Sequence, residues 1–215
     1  QMFVHDDVKS AIPFMKKSKE SGKPFFINLW IHEPHTPFHV DPKLQKLFPD
    51  LPEADNIYAA TLYHADLRIG QLLNALDEMK ISDNTLVIFS SDNGPARGSP
   101  NSPIALSYDS ATGPGYGIGA AKGITGGRRA FKGALMEGGI GVPFIARWPG
   151  KIGAGKVDKT SVLSAVDLLP TFCELGNVKL PKSYKPDGMS QVPALMGKGN
   201  KLRKKPIFWR MSAPW

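Results

Sequence analysis

Apolar residues fall along the chain in two rhythms, and each predicts a different element. Over residues 57–79 Leu62, Ile69, Leu72, Leu73, Leu76 and Met79 recur at three- and four-residue steps, the period of one helix face. Asp66 falls on that face, so its carboxylate is expected either to accept structural hydrogen bonds or to flank a site. Thr85-Leu-Val-Ile-Phe89 is apolar without polar alternation, as in a strand covered on both faces of a parallel sheet. It runs directly into Ser90-Ser-Asp-Asn-Gly94. Residues 25–31 and 142–147 have the same character, the first leading into His32-Glu-Pro-His-Thr-Pro-Phe38 and the second closing at Pro149-Gly150. Asp6 and Asp7 precede Val8, Ala11, Ile12, Phe14 and Met15, which predicts a short helix capped by the acids and ended by a lysine-rich turn. Residues 164–176 predict another, with Asp167 as cap, Pro170 in the first turn and Gly176 as stop. Pro206-Ile-Phe-Trp-Arg210 predicts the start of a further strand.

Strands alternating with helical stretches place the chain in the α/β class, with a mixed, mainly parallel sheet flanked by helices and the 57–79 helix packed on one face. In open α/β sheets ligands bind at the carboxyl ends of strands, which puts Asp92 and Asn93 where chemistry is expected. Two adjacent oxygen donors suit a hard cation such as calcium or magnesium; Asp, Asn and Gly at a strand end equally form an Asx-type turn. His35, held between Pro34 and Pro37 after residues 25–31, is a candidate of the same kind. Between Gly94 and Arg128 periodicity is lost and Gly113, Gly115, Gly117, Gly119, Gly123, Gly126 and Gly127 accumulate, which predicts a long functional or disordered loop. Gly115-Tyr-Gly-Ile-Gly-Ala120 is only a loose dinucleotide fingerprint, because no strand precedes it. Lys132, just beyond this loop, reads by position alone as a surface lysine.

Composition narrows the class. A chain of 215 residues with 41% hydrophobic residues can bury one substantial core. No apolar run approaches a bilayer span, no charged leader precedes an apolar segment, and the one cysteine, Cys173, forms no intrachain disulfide. The formal charge of +8 points to anionic partners. Its lysines and arginines lie in separate groups, with no recognition helix, zinc-ligand spacing or aromatic-studded basic strand, so nucleic acid is not the expected partner.

Taken together these segments resemble the sulfatases of the alkaline phosphatase superfamily. The resemblance runs through Lys23-Pro-Phe-Phe26 and Pro34-His-Thr-Pro37, the helix with Tyr58, Asp66 and Gly70, Ser91-Asp-Asn-Gly94, and Lys132 before Glu137-Gly-Gly139. It continues through Val142-Pro143, Arg147-Trp-Pro-Gly150, Asp167-Leu-Leu-Pro-Thr171 and Asp187-Gly188. It implies an alkaline phosphatase-like fold and a calcium-dependent hydrolase of sulfate esters on sulfated small molecules or polysaccharides, with a formylglycine nucleophile made within a Cys/Ser-x-Pro-x-Arg motif. By matching position, Asp92 and Asn93 would be metal ligands, Lys132 a cation on the sulfate oxygens, and His35 a sulfate contact or the acid on the leaving oxygen. A periplasmic or secreted parent enzyme is implied as well.

The departures are specific. No Cys-x-Pro-x-Arg or Ser-x-Pro-x-Arg occurs in the chain, the family's early acidic pair and Lys-x-His segment are absent, and Gly141 stands where family members often carry arginine. Residues 1–205 are therefore expected to be the middle and later part of a catalytic domain, and residues 206–215 the start of a C-terminal strand. The nucleophile would come from a missing segment, the calcium site would be incomplete, and the chain would associate through the face so exposed. Two other readings remain at this stage. A phosphodiesterase or phosphonate hydrolase of the same superfamily usually shows Asp-His-Gly where this chain has Asp-Asn-Gly, because imidazole ligates a second transition metal; a non-catalytic binder of anionic glycans would lack the formylglycine motif altogether.

Overall fold

The computed structural model describes residues 3–99, 101–104, 106–109, 113–199, 203 and 205–210. The chain divides into two compact units, one formed by residues 1–81 and 91–142, the other by residues 82–90 and 143–215.

The first unit is built on two helices. Helix α1 (Phe3–Glu20) turns Val8, Ala11 and Met15 inward at helical spacing, and Lys19 donates from Nζ to the Met79 carbonyl at 2.6 Å. Asp6 and Asp7 lie within this helix rather than at its cap, since the helical turns begin at Phe3. A short helix, α2 (Pro42–Gln45), is capped by Asp41, whose Oδ1 accepts the Lys43 N–H at 2.8 Å. Helix α3 (Glu53–Glu78) buries Ala54, Ile57, Ala60, Thr61, His64 and Ala65 in its first half and Ala75 and Leu76 in its last turns. The buried stripe is thus narrower and richer in small residues than the leucine pattern predicts. Leu62 is exposed and so is Asp66, which rotation of the stripe carries to solvent, so Asp66 is not a buried acceptor.

Phe38, Ile57, Ala120 and Ala121 form the core of this unit, with Val40, Tyr58, Ile104, Tyr116 and Ile118 packed around them. The Phe38 and Tyr58 rings meet edge to face at 5.9 Å, and burial raises the Tyr58 phenol above its ordinary value. The glycine-rich stretch expected as a loop contains an antiparallel pair of strands, Leu106–Asp109 against Gly113–Tyr116. Its second strand bridges Phe38 through Tyr116, and a Cβ on Gly115 would lie 2.6 Å from Pro37 Cβ. Glycine is there to admit the Pro37–His39 segment, a tertiary requirement that composition reads as a loop.

Residues 25–31 alternate in exposure, but they belong to neither sheet. The expected strand therefore has the alternation of a strand and no ladder within the described residues; Phe26 and Trp30 face solvent at 66% and 81% exposure.

In the second unit Val87–Ser90 pairs with Phe144–Arg147, in antiparallel register with Val87 opposite Arg147 and Ser90 opposite Phe144. Both pairings among the described residues are antiparallel, so the mainly parallel arrangement is not what these strands form with each other. Continuous apolar runs signalled two-faced burial, yet Phe89 and Ile145 are 44% and 59% exposed, and such runs carry no information on strand direction. Residues 206–210, expected to begin a strand, carry no ladder, with Phe208 exposed. Trp148 is buried and donates from Nε1 to the Asp83 carbonyl at 3.0 Å, while Lys151 Nζ stands 4.0 Å above its ring.

Asp167 organises the rest of this unit. It ends a 3-10 turn (Ala165–Asp167) before the helix Leu168–Leu175, and it forms a capping box with Ser164 rather than a cap on the helix itself. Its carboxylate accepts the Ser164 and Met189 N–H groups at 2.9 Å each and both terminal nitrogens of Arg203. Burial alone raises its pKa, but Arg203 and the two N–H donors outweigh burial and hold it below the ordinary carboxylate value. Thr171 donates to the Asp167 carbonyl at 2.6 Å and accepts the Gln191 N–H at 2.9 Å, extending the network. Among the described residues no helix is long and apolar enough to cross a membrane.

Two stability outcomes follow. Asp167→Asn should lower the unfolding free energy of its unit by roughly 3–5 kcal/mol, because it leaves Arg203 without its charge partner. The depressed pKa makes the Asp167 contribution fully present above the unfolded carboxylate value of about 3.9 and lost as pH falls through the folded value, so urea titrations from pH 6 downward should show a decline that the variant lacks. Gly94→Ala should cost about 3 kcal/mol in the first unit, since a Cβ there would sit 1.8 Å from the Gly138 carbonyl oxygen; an unchanged urea midpoint would contradict this packing.

Candidate active site

Backbone packing assembles the site in the first unit. Gly94 donates its N–H to the Gly139 carbonyl at 2.8 Å and lies directly against Gly138. Gly138 and Gly139 open a four-residue helix, Glu137–Ile140, and each is as crowded as Gly94: a Cβ on Gly138 would lie 1.9 Å from the Ala130 carbonyl oxygen and one on Gly139 2.1 Å from that of Ala134. Gly138 also donates to the Arg129 carbonyl at 2.7 Å. The segment after the central apolar run and the stretch bearing Lys132 therefore touch main chain to main chain; a Cβ at Gly94 would block that approach, and one at Gly138 or Gly139 would disrupt the packing of residues 129–134 against the short helix.

That contact fixes Lys132. Its N–H donates to the Pro95 carbonyl at 2.9 Å, and its Nζ meets His35 Nε2 at 2.8 Å across 97 positions of sequence. His35 is held from the other side, with Nδ1 2.6 Å from the Thr36 carbonyl oxygen. A carbonyl only accepts, so Nδ1 carries the proton and Nε2 is the acceptor for the Lys132 ammonium. His35 N–H also donates to the His32 carbonyl at 2.9 Å, which closes the turn between the two histidines, and their rings meet edge to face at 5.6 Å. His32 stands three residues before His35, across Pro34.

Asp92 is exposed, with Ser91 Oγ 3.5 Å from its Oδ1. Ser91 Oγ donates to the Asn93 carbonyl at 2.9 Å, and Asn93 donates its side-chain N–H to the Gly94 carbonyl at 2.8 Å. These bonds are a turn of the Asx kind and also commit the Asn93 amide nitrogen, so that its carbonyl oxygen is the acceptor left on that side chain. The structure thus brings His35 and Lys132 into contact and ties the Asp92–Asn93 turn to the Lys132 loop through Gly94, Pro95, Gly138 and Gly139. Among the described residues no group of three or more His, Cys, Asp or Glu side chains is gathered as a metal cluster. At Gly141 a Cβ would lie 2.6 Å from the Glu137 carbonyl and 3.4 Å from Arg128 Cδ, so glycine is required there and an arginine stem from position 128 lies alongside.

Comparison with known proteins identifies the family. The Sulfatase family model matches residues 4–178, which include all four candidate residues. The chain is 32% identical over 188 residues to arylsulfatase G of Rattus norvegicus and 30% identical over 208 residues to N-acetylgalactosamine-6-sulfatase of Canis lupus familiaris. These alignments cover 87% and 94% of this chain but 33% and 34% of the relatives, so the chain spans about a third of their length. The crystal structure of Ps i-CgsB in complex with k-i-k-neocarrahexaose superposes with a TM-score of 0.74 at 30% identity, covering 92% of this chain and 39% of that one. The fold is accordingly the α/β, alkaline phosphatase-like fold of those structures. With the family model matching most of its length, the chain belongs to the sulfatase family.

Proposed function

We propose that the protein containing this chain is a sulfuric ester hydrolase acting on sulfated sugars, and that His35, Lys132, Asp92 and Asn93 form part of its active site. The observation that carries this reading is the 2.8 Å contact between Lys132 Nζ and His35 Nε2, which joins two residues that the family resemblance assigns to the sulfate group. A sugar substrate is supported by the names of the relatives, one an N-acetylgalactosamine-6-sulfatase, and by the neocarrahexaose complex. The charge of +8 favours the same polyanionic class. Its place of action would be the periplasm or the cell exterior, where such polysaccharides are met.

In sulfate ester hydrolysis negative charge builds on the leaving oxygen as the S–O bond breaks. An ester oxygen entering between Nζ and Nε2 displaces their mutual contact and meets an ammonium on one side and, once Nε2 has taken a proton from solvent to give the imidazolium, an N–H donor on the other. Both interactions are stronger in the transition state than in the ground state, and His35 is the group that passes a proton to the leaving oxygen. The Thr36 carbonyl keeps Nδ1 engaged, so the ring presents Nε2 and no other nitrogen. The nucleophile would come from outside these 215 residues, none of which form a Cys/Ser-x-Pro-x-Arg motif.

Asp92 and Asn93 fit a calcium ion by chemistry, offering one exposed carboxylate and one carboxamide oxygen, both hard donors. Bound there, the metal would supply a fixed positive charge beside the sulfate oxygens. Calcium takes about six to eight oxygens, so the remaining ligands would also lie outside this chain. The exposed Phe26 and Trp30 favour self-association of the isolated chain.

In the intact enzyme Lys132→Ala should lower turnover of an aryl sulfate by roughly 10²–10³, the usual cost of one electrostatic contact at the reacting centre; steady-state kinetics unchanged by the substitution would remove Lys132 from the mechanism. Calorimetry on the 215-residue chain should show calcium binding weaker than micromolar, with Asp92→Ala removing what remains. Micromolar affinity would mean that these residues already complete the metal site.

A further inference from the structure

One cation beside the site has no place in the chemistry above. Arg97 stands two residues after Pro95, whose carbonyl accepts the Lys132 N–H, and its Cζ lies 5.0 Å from the ring centroid of Phe131, the residue before Lys132. Its main chain is held on both sides. Gly94 packs against Gly138, and a Cβ on Gly98 would lie 2.6 Å from the Ile118 carbonyl oxygen. Arg97 is exposed, and among the described residues no carboxylate pairs with it.

A solvated surface arginine ordinarily samples many rotamers. Here the backbone is clamped and the guanidinium rests near an aromatic ring, which leaves its N–H fork displayed beside the Lys132 loop with little ordering left to do on binding. A planar fork of N–H donors matches the oxygens of a sulfate or carboxylate. Lys132 and His35 already account for one sulfate.

We infer that Arg97 is a specificity-determining residue that binds a second oxyanion, a sulfate or a uronate carboxylate, on a sugar next to the one whose ester lies at His35 and Lys132. This assignment rests on the sulfate-ester reading for the identity of the first anion. It makes the site selective for sugars bearing more than one negative group over simple aryl sulfates. Phe131 is the positioning residue, because it supports the guanidinium without touching the sugar's charge.

The test is calorimetric binding to the intact protein of three probes: 4-nitrophenyl sulfate with one anion, a sulfated carrageenan hexasaccharide with several sulfates, and a chondroitin 6-sulfate disaccharide with one sulfate and one carboxylate. Arg97→Gln should weaken one or both saccharides about tenfold or more, the loss expected for one charge-assisted pair, and leave 4-nitrophenyl sulfate within twofold. Which saccharide responds tells sulfate from carboxylate. Phe131→Leu should act in the same direction with a smaller effect, and Arg97→Lys should recover part of the loss. Equal weakening of all three probes, no weakening of any, or saccharides that bind the unaltered protein no better than 4-nitrophenyl sulfate would overturn the assignment. Turnover separates it from the hydrolase reading: the Arg97 pattern without hydrolysis of any ester leaves the second anion site standing and removes the enzyme, whereas hydrolysis with binding indifferent to Arg97 does the reverse.

Discussion

The site depends on one backbone contact, that of Gly94 with Gly138 and Gly139. A hydrogen bond of 2.8 Å and the absence of three side chains bring the segment after the first apolar strand of the sequence against the loop that carries Lys132. Main-chain groups make poor sites for fine adjustment, since they cannot change rotamer. Such rigidity would suit the proposed active site, because a misplacement of about 1 Å at a reacting centre costs catalysis heavily. The Lys132 N–H on Pro95 and its Nζ on His35 both depend on the same contact.

The histidine is fixed by different means. Pro34 and Pro37 restrict the main chain around it, the His32 carbonyl accepts its N–H, and the Thr36 carbonyl sets its tautomer. Backbone groups thus orient both side chains of the proposed site, while Asp92 and Arg97 near them are exposed. Rigid support beneath exposed polar groups is the arrangement expected for a site whose affinity comes from preorganised charge.

The second unit obeys a separate constraint. A buried carboxylate needs its full set of donors, and Asp167 obtains them from its own turn, from Met189 and from Arg203. These partners are 3, 22 and 36 residues away, so the network ties three stretches of otherwise irregular chain to one short helix. The motif Asp167-Leu-Leu-Pro-Thr171 is therefore structural in its chemistry: its acid and its hydroxyl are both consumed by hydrogen bonds inside the fold.

The sequence by itself determined the elements whose cause is local. The 57–79 periodicity marks α3, Pro170 and Gly176 bound the helix that follows Asp167, and the apolar runs ending at Ser-Ser-Asp-Asn-Gly94 and Arg147 mark the two strands of the second unit. Residue chemistry also singled out His35, Asp92 and Asn93, and the family resemblance added Lys132. Tertiary structure decided what neighbours do. Strand direction was invisible because an apolar run reports burial and not orientation, and the 25–31 segment found no ladder among the described residues. Asp66 turned outward because small residues, not leucines, set the packed stripe of α3. The hairpin inside the glycine-rich stretch was hidden for a related reason. Glycine reads as loop in sequence, yet a Cβ at Gly94 or Gly138 would meet another stretch of backbone and one at Gly115 would meet Pro37 Cβ, and only the folded chain puts those atoms there.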